Sequence, residues 1–190
     1  NCFNKEQVNI TFYYGLTTFI GANASGKTQT LKALRDHLKE HLGLNKVRYL
    51  SSNRIAEMEA YRSKTTYYDQ LEQNFNIGGL SEKNARQEIE TATGDFFTLD
   101  ERRDIYIKVS ERLSVLFNRY IYLRWDNGTL KVFFEKTGDQ KEYSVAAEAS
   151  GLVNIISILA ALFDETVEVL LIDEPEVSLH PQLQSYLLRE

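Results

Sequence analysis

The pattern of apolar and polar positions over the first fifty residues predicts two strands, a helix and a further strand. Apolar residues alternate with polar ones over residues 8–12, as in a half-buried strand, and Leu16–Ile20 is a second short apolar run that ends at a glycine. Leucines then recur at helical spacing up to Gly43, a residue type that commonly ends helices, and Val47–Leu50 predicts the next strand. The leucines are Leu31, Leu34, Leu38 and Leu42.

The middle of the chain predicts an insertion that interrupts this pattern. Residues 56–80 are polar, rich in tyrosine and glutamine and weakly periodic, which favours a loop-rich segment. Apolar positions in residues 85–92 predict a short helix, and Thr98 with Glu101 forms a capping-box pattern that would open a longer one. The inward face of that longer helix would carry Ile105, Val109, Leu113, Leu116 and Tyr120.

Three short strands are predicted next, at Tyr120–Arg124, Leu130–Glu135 and Lys141–Val145. The segments between them, residues 126–128 and 137–139, have the turn chemistry of antiparallel hairpins, so a small meander is expected.

The end of the chain returns to a core pattern. Residues 151–163 are apolar nearly all round, which predicts a buried helix, and Val167–Ile172 is typical of a central parallel strand. Pro181 suits the first turn of a last helix. Together these elements predict an α/β fold, mostly parallel in its sheet, with antiparallel β and helical insertions.

Between the second predicted strand and the first helix lies a Gly-x-x-x-x-Gly-Lys-Thr sequence, the phosphate loop, in the setting where that motif binds nucleotides. The residues expected to bind nucleotide are Gly21, Ala22, Asn23, Ala24, Ser25, Gly26, Lys27, Thr28 and Gln29. Backbone amides and the positive helix end would face the phosphates, Lys27 would reach the β- and γ-phosphates, and the hydroxyl of Thr28 would hold Mg²⁺. A plain glycine-rich turn with a surface lysine fits this setting less well. We therefore predict an ATP-binding P-loop domain.

Two acids follow the last predicted strand. Asp173 and Glu174 emerge where that strand ends, the edge at which open α/β sheets bind ligands. Asp173 is expected to hold Mg²⁺, and Glu174 to orient and deprotonate the attacking water. An acidic turn before Pro175 is the alternative for this segment alone, but the complete phosphate loop upstream favours catalysis.

Ser150 and Gly151 lie at the start of the predicted buried helix, about twenty residues before the two acids. Here the chain resembles the ABC-type ATPases, whose signature motif centres on a Ser-Gly pair at a helix N-terminus. The resemblance implies a head-to-tail homodimer in which Ser150 and Gly151 bind the γ-phosphate held by the opposite subunit. Ala149 departs from the fuller family motif, and an ordinary helix N-cap is the alternative for Ser150.

The segment from Ser178 to Pro181 reads Ser-Leu-His-Pro. It is similar to a loop in the overcoming-lysogenization-defect (OLD), RecF-like and bacterial defence ATPases, whereas transporter ATPases usually carry Ser-Ala-Leu-Asp there. The resemblance implies that Ser178 and His180 make contacts across the dimer in this loop, the D-loop.

The resemblance also predicts the domain organisation. Residues 1–190 would form a single ABC-type domain, its core at 1–55 and 146–190 and its insertion at about 56–145. A family switch histidine is expected beyond the last helix, so the domain is predicted to be truncated at its C-terminus. The family's glutamine near the third core strand is absent, and Asn53 and Arg54 are the candidates to replace it.

Composition narrows the possible partners and location. The formal net charge of −5 gives no support to a phosphate-wrapping surface, so DNA is possible but unsupported. Tyr67 and Tyr68, with Arg62 and Lys64 nearby, could stack on DNA, although a solvated surface is the simpler interpretation. A single cysteine and the lack of a membrane-length apolar run predict a cytoplasmic protein with no membrane contact.

The sequence therefore predicts an ATPase that uses Mg²⁺ with ATP and in which Lys27 and Glu174 are catalytic. Its hydrolysis would drive a DNA-related or anti-phage defence process. The alternative is a nucleotide-gated scaffold that binds ATP to hold a partner nuclease or toxin, with little hydrolysis. A GTPase fits less well, because Asn45-Lys46-Val47-Arg48 lacks the acid of a guanine-reading motif.

Overall fold

The computed structural model describes residues 10–12, 15–73, 75–81, 91–177, 179 and 181–187. Within this part of the chain the helices are α1 Lys27–Leu42, α2 Ala56–Lys64, α3 Tyr67–Glu72, α4 Ala92–Glu101, α5 Arg103–Phe117, α6 Ser150–Leu162 and α7 Pro181–Leu187. The strands are β1 Val47–Leu50, β2 Arg119–Asp126, β3 Thr129–Lys136, β4 Glu142–Ser144 and β5 Val169–Ile172, and short 3₁₀ turns cover Leu44–Lys46 and Val145–Ala147. None of the described helices has the length and apolarity to cross a bilayer.

Strands β1 and β5 form the parallel sheet that positions the site. Val47 lies opposite Val169 and Leu50 lies opposite Ile172, so both strands end at the same edge. The pairing continues one residue further, where the amide of Asp173 donates to the carbonyl of Leu50 over 2.9 Å. The structure confirms both predicted strands and the parallel pairing of the second, although β5 begins at Val169 and not at residue 167. The central position predicted for that strand is not shown, because among the described residues its ladder partner is β1 alone. The residue after β5 is therefore fixed beside the turn that follows β1.

Helix α1 covers one face of this parallel pair. Its buried residue Leu31 packs against Val47, Tyr49 and Leu171, because the leucines of α1 recur at the spacing that turns them toward the sheet. The helix ends at Gly43, whose φ of 103° lies in the region that favours glycine, as the sequence predicts.

The antiparallel meander β2–β3–β4 confirms the three predicted strands. The β2–β3 turn has Asn127 at φ 48° and Gly128 at φ 74°, the two left-handed residues that a tight two-residue hairpin requires. Strand β3 buries Leu130, Val132 and Phe134 on its inner face, in the alternation of a half-exposed strand.

The main core is centred on α6, which is buried over residues 152–161. Helices α4 and α5 pack beside it and contribute large apolar side chains. These are Phe96, Phe97, Leu99, Ile105, Val109 and Leu113. Because α6 is apolar all round, it is covered on several sides, as its sequence predicts.

The strand predicted at Leu16–Ile20 is wrong. Leu16 is 81% exposed and Ile20 is 93% exposed, and the described residues give this segment no ladder partner. Without a paired neighbour, an apolar run has neither the hydrogen bonds nor the buried face of a strand. Of the strand predicted over 8–12, residues 8 and 9 lie outside the described residues, and 10–12 are not in a strand.

The loop-rich prediction for residues 56–80 is also wrong, because α2 and α3 lie there. Helix α3 begins with a capping box in which the hydroxyl of Thr66 accepts from the amide of Asp69. Tertiary packing stabilises the weakly periodic α2, whose Met58 is buried in the main core.

The capping box predicted at Thr98 and Glu101 is wrong as well. Thr98 lies inside α4, where its hydroxyl donates to the carbonyl of Gly94, and α5 begins only at Arg103. The predicted burial of α5 positions is confirmed at Ile105, Val109 and Leu113. By contrast, Leu116 is 39% exposed and Tyr120 belongs to β2. Residues 85 and 89 of the predicted short helix lie outside the described residues, and Ala92 opens α4.

Candidate functional site

The phosphate loop is a turn with two left-handed residues that leads directly into α1. Ala24 has φ 63° and Gly26 has φ 91°, and the amide of Ser25 donates to the carbonyl of Ala22 over 3.2 Å. Left-handed residues in such a turn make the backbone concavity that binds anions, and here it is continuous with the positive N-terminus of a long helix. The loop therefore combines two sequence-independent sources of attraction for phosphate.

Gly21 leaves little room for a side chain. A Cβ atom at Gly21 would lie 2.6 Å from the hydroxyl oxygen of Ser25, a distance that real Cβ contacts essentially never show. The first glycine of the motif thus allows the loop to close against its own serine.

The ammonium of Lys27 folds back over the loop. It donates to the carbonyl of Gly21 over 2.8 Å and to the carbonyl of Ala22 over 3.0 Å, and it remains exposed to solvent. Because two carbonyls of the loop hold this ammonium, it could meet a phosphate placed there without a large movement of its stem.

Thr28 and Asp173 are joined across 145 positions of sequence. The Thr28 hydroxyl donates to Oδ2 of Asp173 over 2.8 Å, and the Tyr49 hydroxyl lies 3.4 Å from the same oxygen. Asp173 is only 2% exposed, because β5 delivers it to the buried edge of the parallel sheet. The structure thus brings together the two residues predicted to hold a metal.

These two side chains fit Mg²⁺. A hydroxyl and a carboxylate supply the oxygen ligands that this ion prefers, and Mg²⁺ at phosphate sites usually keeps waters and phosphate oxygens in its remaining positions. Among the described residues there is no group of three or more His, Cys, Asp and Glu side chains that could hold a metal without such help.

Glu174 follows Asp173 on the surface. Its φ of 48° is uncommon for a residue with a side chain, and its carbonyl accepts from the amide of Val177 over 3.1 Å. This backbone turn separates the exposed carboxylate of Glu174 from the buried one of Asp173. One acid can therefore be held in place while the next faces solvent.

The turn after β1 buries an arginine, not an asparagine. Arg54 is 1% exposed, whereas Asn53 is exposed. Arg54 donates to the carbonyl of Ser51 over 2.8 Å, and its Nε and Nη2 have no hydrogen-bond partner within the part of the chain that the structure describes. Burial lowers the pKa of Arg54, and the carboxylates of Asp95 and Asp173 oppose that effect.

Asp95 is a buried charge that the sequence analysis missed. It lies in the first turn of α4, is 1% exposed and forms an ion pair with Arg48 of β1. Burial raises the pKa of Asp95, while the positive charge of Arg48 acts in the opposite direction. Its signal in the sequence is its position directly before two adjacent phenylalanines, Phe96 and Phe97.

Ser150 is held by side chains of α2. It opens α6, and its hydroxyl contacts Glu59 and Arg62 of α2. Just before it, Glu148 is held by Arg119 over 3.0 Å and by the hydroxyl of Tyr143, so the meander anchors the start of α6. The structure therefore places Ser150 and Gly151 at a helix start whose hydrogen bonds run to α2 and the meander.

The remaining predicted residues divide in two. Ser178 and His180 lie outside the described residues, although Val177 beside them accepts a hydrogen bond from Asn154 of α6 over 3.0 Å. Tyr67 and Tyr68 are exposed, but the Arg62 side chain is 15% exposed and bonds inward, so it does not contribute to a cationic surface there.

A family model described as "AAA domain, putative AbiEii toxin, Type IV TA system" matches residues 37–190. The matched range begins after the phosphate loop and includes Ser150, Asp173 and Glu174. No curated protein and no solved structure matches the chain. The match covers most of the chain, and the phosphate loop is separate evidence for the same P-loop NTPase fold.

Proposed function

Because the chain belongs to this family of AAA domains, we propose that it is an ATP-binding and ATP-hydrolysing head domain. The observation that carries the proposal is the 2.8 Å contact between Thr28 and Asp173, which unites the end of the phosphate loop with the end of β5. A hydroxyl at a helix N-terminus and a buried acid at a strand end are the two protein ligands that P-loop ATPases use for Mg²⁺.

In this proposal the residues from Gly21 to Gln29 bind the triphosphate. The backbone concavity and the α1 N-terminus attract its negative charge, and Lys27 exchanges its two carbonyl partners for β- and γ-phosphate oxygens. Thr28 and Asp173 hold Mg²⁺, which when bound neutralises charge that develops on the phosphates.

Glu174 acts as the general base. Its carboxylate is exposed beside the metal ligand Asp173, where it can orient a water and accept its proton. The adjacent acids thus have different tasks because the backbone turn at Glu174 gives them different environments.

The site is completed by a second copy of the chain. Ser150 and Gly151 of that copy bind the γ-phosphate, as in the ABC-type signature, and Ser178 and His180 make contacts across the dimer in the D-loop. Within the described part of the chain, the hydroxyl of Ser150 bonds to Glu59 and Arg62 rather than to Thr28 or Asp173, which supports a role in trans. Residues 1–190 then act as one domain, in the cytoplasm.

The process served is defence against phage, with DNA repair as the second possibility. The family description, which names a toxin and a toxin–antitoxin system, supports the first. The same description favours one alternative activity, in which ATP binding holds a partner nuclease or toxin in an assembly and hydrolysis is slow.

Steady-state phosphate release with Mg·ATP separates these possibilities. We expect sustained turnover from the native chain, and from Glu174→Gln a loss of about 100-fold or more with ATP binding retained. Nucleotide binding with no turnover in the native chain supports the scaffold instead. Full activity in Glu174→Gln would exclude Glu174 as the base.

A further inference from the structure

The hydroxyl of Ser150 is already committed within its own chain. It donates to Oε1 of Glu59 and accepts from Nη1 of Arg62 over 2.7 Å. A serine hydroxyl has a single proton to donate. As long as Glu59 receives that proton, Ser150 cannot donate to a phosphate.

The guanidinium of Arg62 joins α2 to the start of α6. Its Nε donates to the carbonyl of Ala146 over 2.6 Å, and its Nη2 donates to the carbonyl of Glu148. These two bonds fix the guanidinium against the turn that precedes α6. Its Nη1 is shared between Ser150 and Oε1 of Glu59, at 2.7 Å from each. One edge of the guanidinium is therefore structural, and the other holds an anion.

That anion is the carboxylate of Glu59. Carboxylate and phosphate oxygens are recognised by the same groups, namely charged guanidinium and hydroxyl donors. Glu59 is 46% exposed whereas Arg62 is 15% exposed, so the anion lies on the solvent side of its partners. It can leave without disturbing the bonds that tie Arg62 to the turn before α6.

We propose that Glu59 is a displaceable plug: its carboxylate occupies an anion position formed by Ser150 and Arg62, and the γ-phosphate of ATP on a second copy replaces it. Arg62 then becomes a phosphate ligand in trans beside Ser150. The inference rests on the proposed two-chain site and adds to it a ligand, Arg62, and a self-inhibitory contact, Glu59.

The closed plug lowers the affinity of one copy for another. The apparent affinity for the second copy is reduced by the fraction of chains whose anion position is open. If the plug is closed in about nine chains of ten, its removal tightens association at least about tenfold. Each dimer contains two such positions, so the gain is larger where both must open.

The test measures dimer dissociation constants by sedimentation, with the full chain carrying Glu174→Gln so that ATP is not consumed. Glu59→Ala is compared with Glu72→Ala, which removes the same charge from the exposed end of α3. With Mg·ATP we expect dimerisation at least about tenfold tighter in Glu59→Ala than in Glu72→Ala, and no such gain without nucleotide.

Equal dimer affinities in the two variants would overturn the plug while leaving the two-chain site intact. A gain that persists without ATP would also overturn it, because the competition must be with phosphate. Absence of an ATP-dependent dimer from every variant would overturn the two-chain site and the plug together.

Arg62→Lys in the Glu59→Ala background tests the second ligand. Lysine keeps the charge but cannot bond the turn and a phosphate with one rigid group, so the tenfold gain should be lost. An unchanged gain in the double variant would remove Arg62 from the phosphate site. Thermal melting of each variant separates this result from unfolding, and Glu59→Ala alone still tests the plug if the double variant does not fold.

Discussion

Thr28 donates a 2.8 Å hydrogen bond to Asp173, and this bond connects the first turn of α1 to the end of β5. Asp173 is buried beside Tyr49 of the neighbouring strand, so its carboxylate is fixed before any ligand arrives. A preorganised oxygen pair lowers the cost of assembling a metal site.

Replacing Thr28 tests this pair. Thr28→Ala removes one of two protein oxygens, and we expect the Mg²⁺ concentration for half-maximal phosphate release to rise about 10–100-fold. Thr28→Ser keeps the hydroxyl and serves as the control, with a change of only a few-fold. Equal Mg²⁺ dependence in the alanine and serine variants would show that Thr28 does not hold the metal. Chelation of Mg²⁺ should abolish turnover in the native chain.

Gly21 and Ser25 should be coupled in nucleotide binding. Gly21→Ala places a methyl group against the Ser25 hydroxyl, and we expect ATP affinity to fall a few-fold as the loop shifts. Adding Ser25→Ala removes the oxygen at 2.6 Å and leaves a Cβ at 3.5 Å, an ordinary contact, so part of the loss should be recovered. A double-mutant cycle with fluorescent ATP should give a coupling of about 0.5–1 kcal/mol. Strict additivity would contradict this packing.

The buried carboxylate of Asp95 should contribute strongly to the stability of the fold. Asp95→Ala removes the carboxylate that pairs with Arg48 and offsets the charge of the buried Arg54, which should cost about 3–5 kcal/mol in urea unfolding. Asp36→Ala breaks the exposed pair with Arg35 and should cost about 0–1 kcal/mol. Similar losses in the two variants would mean that the buried pair of Asp95 and Arg48 contributes no more to stability than an exposed ion pair.

Tyr143 should make the fold sensitive to alkaline pH. Burial, and next its hydrogen bond to Glu148, raise the pKa of Tyr143 above its ordinary value near 10. The unfolded chain then loses this proton first, so the associated stability is present below about pH 10 and is lost as pH rises through the folded-state pKa. Tyr143→Phe should flatten the decline of unfolding free energy above pH 10, and an unchanged slope would contradict this assignment.

The sequence predicted the elements whose signals are local. Leucine spacing with Gly43 identified α1, turn chemistry around Asn127 and Gly128 identified the meander, and the motif residues located Thr28 and Asp173 before their contact was known. These predictions succeeded because period, turn residues and motif spacing do not depend on distant partners.

The failures have the opposite cause. Leu16–Ile20 resembles a strand but lacks a ladder partner, and α2 is weakly periodic but held by core packing at Met58. The ion pair of Arg48 with Asp95 joins β1 to α4, and the contact of Glu59 with Ser150 joins α2 to α6. No single-sequence pattern specifies such long-range pairs, since they depend on the assembled fold.

A mixing experiment tests the two-chain site most directly. Lys27→Ala disables the phosphate-loop side and Ser150→Ala the opposite side, so each variant alone should release little phosphate. Mixed dimers contain one site with both changes and one with neither, and random association should restore about a quarter of native activity. Phosphate release at that level from the mixture is the result we expect. Release no greater than the sum of the separate variants, or full activity in Ser150→Ala alone, would contradict a site built from two chains.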